Sequence, residues 1–303
     1  MKQLFVLLLL LFFSIPLFSC DVCGCSLGGN YFGILPLYNK NFIGLRWSQA
    51  SFHSYIAPTQ YHAAQESDDT YSKVELWGRF HISKRIQLFA FVPYVYNDMN
   101  GTDQVVFAQG IGDVSIVANY RVINNSEGAD ELKHTLLFGG GIKLPTGKFS
   151  LTDKGKIINR NFQMGTGSVD FIGNAVYTMR YRKVGINLET GYKLNTRNSN
   201  DYLFGNQFRV SAQLFFWQKI GPLSILPHAG VYFEQADTHW DGDIIQTNTG
   251  GSATQGSAGI DFYISHFTLG INFQHPLKQH YNSDITASIT SYDMCTATLI
   301  FNF

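Results

Sequence analysis

The sequence predicts an all-β chain: a transmembrane, antiparallel, up-and-down β-barrel of about 12 strands behind an N-terminal signal peptide. Three observations carry this. From Ser168 to Asn195 the residues alternate between apolar and polar, in phase across Arg182-Lys183. Charged residues are only 15% of the chain, against about 25% in soluble domains, while aromatics reach 15%. Short turns and long polar loops take turns along the chain.

The hairpin is the clearest element. Val169, Phe171, Gly173, Ala175, Tyr177, Met179 and Tyr181 fall on one face, and Val184, Ile186, Leu188, Thr190, Tyr192 and Leu194 continue it. Period two is the signature of a strand. A two-residue loop at Arg182-Lys183 sets Tyr181 against Val184 and Met179 against Ile186; a slip of one residue would turn one apolar face the wrong way. Strands this long, apolar on one side with tyrosine near the ends, suit a membrane barrel.

At the N-terminus, Lys2 and the Leu/Phe run of 4–13 read as a secretory signal peptide over 1–19. No later stretch has the roughly 18 apolar residues of a spanning helix, so any span is built from strands. A Cys/Gly-rich segment covers 20–41 and the barrel 42–303, with no further domain boundary. The expected location is the outer membrane of a Gram-negative bacterium. Net charge is zero with no basic run, which argues against nucleic acid.

The predicted strands follow in order. The first, 42–56, has a muddled alternation that suggests a bulge. Strand 71–83 turns Val74, Leu76, Phe80 and Ile82 outward, and Lys73, Glu75, Arg79 and His81 inward. Strand 85–96 turns Ile86, Leu88, Ala90, Val92, Tyr94 and Tyr96 outward. Strand 111–123 turns Asp113, Asn119 and Arg121 inward. Strand 132–144 and the hairpin come next, then 204–218 and 223–234. A second hairpin, 257–264 with 267–274, matches its apolar faces across Ser265-His266. The last strand runs from about Ser291 to Phe303. Long polar loops are predicted at 57–70, 97–110, 146–167 and 236–256. With the N-terminus in the periplasm, all of them fall outside.

Three motifs recur at barrel rims: Gly110-Ile111-Gly112-Asp113, Lys143-Leu144-Pro145-Thr146-Gly147 and Gly165-Thr166-Gly167-Ser168 with Asp170. In this order they resemble the outer-membrane barrel family of the MetA-pathway of phenol degradation, a distant relative of the long-chain fatty acid and toluene transporters. The resemblance covers roughly 110–195. It implies passage of a small, hydrophobic or aromatic solute. The asparagine-proline-alanine hatch motif of the fatty acid transporters is not evident. Read physically, the same residues make structural corners: glycines permit a tight rim, and Pro145 belongs where a ladder ends. The final strand, TATLIFNF with Phe303 at its end, resembles the signal read by the barrel assembly machinery.

The charges expected to face the lumen are Glu75, Arg79, Asp113, Arg121, Asp170, Arg180, Glu189, Lys193, Arg209, Glu234 and Asp261, together with His228. They either pair to stiffen the wall or form a polar track that selects solutes. A barrel this small has a narrow interior, so a gated or substrate-selective path is expected and not a general pore. Outer-membrane lipid and a small-molecule solute are the expected partners.

Cys20, Cys23 and Cys25 lie in the run CDVCGC. Soft thiolates could hold copper or zinc. Alternatively Leu17-Phe18-Ser19-Cys20 resembles a lipobox with Cys20 lipidated, or the exported thiols form a disulfide. An envelope protein handling a soft metal through this segment is thus the alternative function. A structural barrel with partner-binding loops is a third. No nucleophile motif such as G-x-S-x-G occurs, and no enzyme activity is expected.

Overall fold

The computed structural model describes residues 32–34, 40–58, 63–102, 105–125, 131–153, 156–283 and 287–303. The signal peptide, Cys20, Cys23 and Cys25 lie outside them. Strands β1 (Phe42–Ile56), β2 (Gln65–His81) and β3 (Ile86–Gly101) open the barrel. Strand β4 comes in two pieces, Val105–Ile111 and Ser115–Asn124. Strands β5 (Leu132–Lys143), β6 (Asp170–Tyr181), β7 (Val184–Leu194) and β8 (Gln207–Phe216) follow, with a short continuation at Gln218–Ile220. Strands β9 (Leu223–Ala236), β10 (Gly251–Ile264), β11 (Phe267–Tyr281) and β12 (Ala287–Asn302) complete it. Each strand pairs antiparallel with its sequence neighbours, and β12 pairs with β1, closing a 12-stranded barrel. Closure leaves no open edge, which is what lipid demands of a β-structure. Among the described residues, no helix is long and apolar enough to cross a membrane.

The hairpin register is the predicted one: Tyr181 faces Val184, Met179 faces Ile186 and Tyr177 faces Leu188. Ile264 likewise faces Phe267. Both two-residue turns place a non-glycine residue at positive φ, Arg182 at 54° and Ser265 at 53°. Sequence alternation thus overrides unfavourable turn chemistry.

Outward side chains form an exposed apolar belt, with Leu45, Leu76, Phe171, Leu214, Ile271 and Phe301 among them. Trp47 donates to the Tyr96 hydroxyl at 2.8 Å near its outer edge. At the inner edge Arg85 reaches the Tyr120 hydroxyl at 3.0 Å and the Arg182 guanidinium lies over Tyr181. This is the build of a bacterial outer-membrane barrel, with aromatic girdles at both interfaces.

Three expectations need correction. The muddled first strand pairs evenly with β2; the irregularity is in β12, where the register steps from Ala50–Met294 to Phe52–Ser291. Of two predicted loops, 57–70 is strand in part and 97–110 is largely strand. β2 begins at Gln65, and β3 with the first piece of β4 runs through most of 97–110. Polar residues on both faces hid 65–70 and most of 97–101, yet backbone pairing continues past the lipid. Finally, the loop between β5 and β6 does not stand outside. It folds inward, and its 3-10 turn Arg160–Phe162 buries Phe162 completely.

Candidate functional site

The site is the lumen, and two segments of the chain occupy it. The inner half has an aromatic wall. Phe42, Trp77, Phe89 and Phe91 point inward from β1, β2 and β3 and are 1% exposed or less. Segment 86–96 is apolar on both faces, so while Ile86, Leu88 and Val92 meet lipid, Phe89 and Phe91 must meet the lumen. Phe42 packs edge-on to Trp77 with centroids 4.6 Å apart, and Trp77 stacks near-parallel with Phe91 at 6.0 Å. The Arg46 guanidinium covers Trp77 at 3.9 Å, and that of Arg79 lies 5.1 Å from the centre of Phe42.

Phe32, from the N-terminal segment, closes this wall. Its ring sits edge-on to Phe89 at 4.8 Å and to Phe91 at 5.9 Å. Its backbone N–H donates to both carboxylate oxygens of Glu189 at 3.3 Å. Two residues on, Ile34 packs against Phe215 and Leu226. The segment is therefore an inner plug, held by ring contacts and one buried carboxylate.

The outer half is closed by the β5–β6 loop, and here the three glycine-bearing motifs meet. Lys143 lies between two carboxylates, 2.6 Å from Asp113 and 2.8 Å from Asp170, and all three side chains are buried. Lys143 also bonds the Thr166 hydroxyl. Asp113 accepts from the N–H of Gly147 at 3.0 Å and that of Thr166 at 2.8 Å. Asp170 accepts from Ser168 at 2.8 Å and from the Thr196 N–H at 3.0 Å. Thr146 bridges the break in β4, accepting from Val114 N–H and donating to the Gly112 carbonyl. Gly147 and Gly165 cross so closely that a Cβ on Gly147 would sit 2.8 Å from the backbone of Gly165. Only glycine allows that approach.

Anchored so, the loop pushes Phe162 against Tyr71, with centroids 5.2 Å apart, into a cluster with Phe52, Met99 and Met294. Gln163 ties the loop to itself through the Leu151 backbone N–H and carbonyl.

The remaining predicted lumen residues all point inward. Glu75 is held by Arg46 and Lys73, each at 3.2 Å. Arg121 meets His81 at 3.1 Å, and Arg180 lies over Trp217 at 5.5 Å. Arg209 approaches Glu189 at 3.7 Å, Tyr232 donates to Glu234 at 3.2 Å, and His228 stands 3.9 Å from Asp261. Lys193, Arg209 and Glu234 line a void of about 610 Å³. A void of about 980 Å³ lies under the β5–β6 loop, and one of about 700 Å³ lies beside Phe32. The Arg46–Glu75 pair separates these last two: Arg46 lines the inner one and Glu75 the outer. The geometry is a narrow path with aromatic and charged linings and a plug in each half. Among the described residues, no group of three His, Cys, Asp or Glu side chains is placed to hold a metal ion.

The chain folds as an outer-membrane channel does. It is similar to the COG4313 outer membrane channel from Pseudomonas putida F1, with a TM-score of 0.64 and 12% identity over 87% of this chain and 96% of that one. Weaker likenesses include the β-domain of the Bordetella autotransporter BrkA (TM-score 0.46, 10% identity, 87% and 99% covered) and a FadL homologue of Pseudomonas aeruginosa (0.43, 8%, 87% and 90%). At these identities the likeness is one of fold. No protein-family profile and no curated sequence matches the chain. The architecture is the one that the resemblance of the three motifs implies.

Sequence reasoning missed the aromatic wall, Phe32, and an extracellular cluster around His239. That imidazole is 2% exposed, bonds the Tyr202 hydroxyl at 2.9 Å, and packs on Phe204. Burial first, then the Lys193 charge, lowers its pKa from 6.5 to about 4. Because the folded pKa lies below the unfolded one, the neutral cluster keeps its full stability above pH 6.5. It loses up to about 3 kcal/mol as the pH falls from 6.5 to 4. Amide protection factors in 239–249, with the intrinsic pH dependence of exchange divided out, should therefore fall at pH 4.5 relative to pH 7.5 in the native barrel, and show no such fall in His239→Gln.

Proposed function

We propose that this barrel passes a small, hydrophobic or aromatic solute across the outer membrane. The observation that carries the reading is the aromatic wall of the inner lumen. Water-filled porin lumens are polar, whereas here Trp77, Phe89 and Phe91 face inward, Trp77 lines the inner void, and a ring of the chain itself, that of Phe32, lies against Phe89 and Phe91. A solute ring fits where Phe32 sits, and the binding free energy of such an exchange is that of one aromatic contact for another. The charged pairs beside it, Arg46–Glu75 and Arg209–Glu189, keep the walls rigid. They leave the aromatic faces as the surface a solute meets.

The test is uptake of an aromatic solute into proteoliposomes, corrected for vesicles without protein. Native barrel should raise the rate, and Trp77→Ala with Phe91→Ala should abolish most of the gain while the purified variant still shows the heat-modifiable migration of a folded barrel. Equal rates with and without protein would overturn the reading.

A further inference from the structure

The two mouths of the barrel carry opposite charge. Outside, among the described residues, Glu66, Asp69, Asp98, Asp237, Asp241 and Asp243 ring the strand ends and loops. The bases there are fewer: Arg197 is paired with Asp201 at 3.0 Å, Lys143 with Asp113 and Asp170, and Arg209 with Glu189; Arg160 lies over Tyr202 at 5.0 Å, Lys193 lines the lumen, and Lys148 and Lys278 stand on loop and strand ends. On the periplasmic side the pattern inverts. Arg79, Arg121, Lys133 and Arg180 face inward near the mouth, while Lys84 stands on a turn and Lys219 on the short strand Gln218–Ile220. The acids described there are Glu131, held by Arg182 at 2.9 Å, and Asp261, opposite His228.

The mouths stand on either side of a hydrocarbon core about 30 Å thick. The screening length is about 8 Å at physiological salt, so each mouth acts on its own. An anion arriving from outside meets a rim of its own sign. A cation passes that rim but meets like charge at the periplasmic end. Narrow clefts in low-dielectric walls focus such fields. Two like-sign barriers in series, one for each ion, leave only uncharged solutes with no barrier.

We infer that the barrel is an ion-excluding filter selective for uncharged solutes, and that carboxylates, fatty acids included, are poor cargo. This rests on the solute-passage reading above and names its substrate class. The sum of the charges hides the device, because the chain as a whole carries no net charge. Only their sorting between the two ends reveals it.

Three derivatives of one aromatic ring test it: N-acetylphenylalaninamide (neutral), N-acetylphenylalaninate (anion) and a trimethylammonium phenylalaninamide (cation). Uptake into proteoliposomes is measured in 10 mM and in 1 M salt. The neutral compound should enter about tenfold faster than either ion at low salt, and the gap should shrink at high salt. Asp237→Asn, Asp241→Asn, Asp243→Asn together should raise the anion-to-neutral ratio about threefold, and Lys84→Gln, Lys133→Gln, Lys219→Gln together the cation-to-neutral ratio. Ions entering as fast as the neutral compound, or ratios that neither variant moves, would overturn the inference while leaving solute passage intact. Failure of all three compounds to enter overturns both.

Discussion

Replacing Lys143 with methionine is expected to free the β5–β6 loop and raise the single-channel conductance severalfold. Lys143 is the cation between the buried carboxylates of Asp113 and Asp170, which the Thr166 and Ser168 hydroxyls also link. Without it two like charges face each other in a low-dielectric wall, a change that costs about 3–5 kcal/mol when one partner of a buried pair is lost. The strands have no cheap way to relieve this, since each is hydrogen-bonded on both sides. The loop has one: Asp113 can let go of the Gly147 and Thr166 amides and turn to water. Phe162 and Met164 would then leave the outer lumen. Planar-bilayer recordings read the conductance, and protease cleavage within 144–169 reads the loop. The triple variant Lys143→Met, Asp113→Asn, Asp170→Asn removes the repulsion and should return most of the closed behaviour. Native conductance and an uncut loop in Lys143→Met would show that the ion triad does not hold the plug.

The second large effect is expected at Phe32. Truncating a buried phenylalanine to alanine costs about 3–5 kcal/mol. Here the loss falls on the docking of the N-terminal segment, because Phe32 belongs to no strand. Its other anchors are weaker, two bonds of 3.3 Å to Glu189 and the apolar seat of Ile34. Phe32→Ala should therefore undock the inner plug and expose Phe89 and Phe91 to the void beside them. Uptake of an aromatic solute should rise about tenfold, with barrel melting unchanged. Glu189→Gln should give a smaller rise, since the amide oxygen still accepts one bond. If Phe32→Ala leaves uptake unchanged while lowering the melting point of the whole barrel, Phe32 is a core residue and not a plug.

The two plugs differ in how readable they were. The glycine motifs at 110–113, 143–147 and 165–168 announce three structural corners. That they are the same corner could not be seen. The contacts of Asp113 with Lys143 and Thr166 span 30 and 53 residues and depend on β4 breaking at Gly112–Val114. The aromatic wall left a clearer trace. Segment 86–96 alternates poorly because both of its faces are apolar, and a lipid-facing strand with an apolar inner face demands something apolar in the lumen. Nothing in the run around Phe32 says that it supplies this, since 157 residues separate it from Glu189.

What the sequence determined is everything that depends on period and parity. Alternation assigned each side chain of β6 and β7 to lipid or lumen, and the phase across Arg182-Lys183 set their register, because a one-residue slip would expose a polar face to lipid. The inward direction of Glu75, Asp113, Asp170, Glu189 and Glu234 follows from the same rule. Tertiary structure decided what fills the inside. Lumen side chains meet partners from across the barrel, and loops and termini have no periodicity to declare whether they stand in water or fold inward. Closure brought Lys143 between two aspartates and Phe32 against Phe89, and those two contacts, not the strand pattern, hold the β5–β6 loop and the N-terminal segment in the lumen.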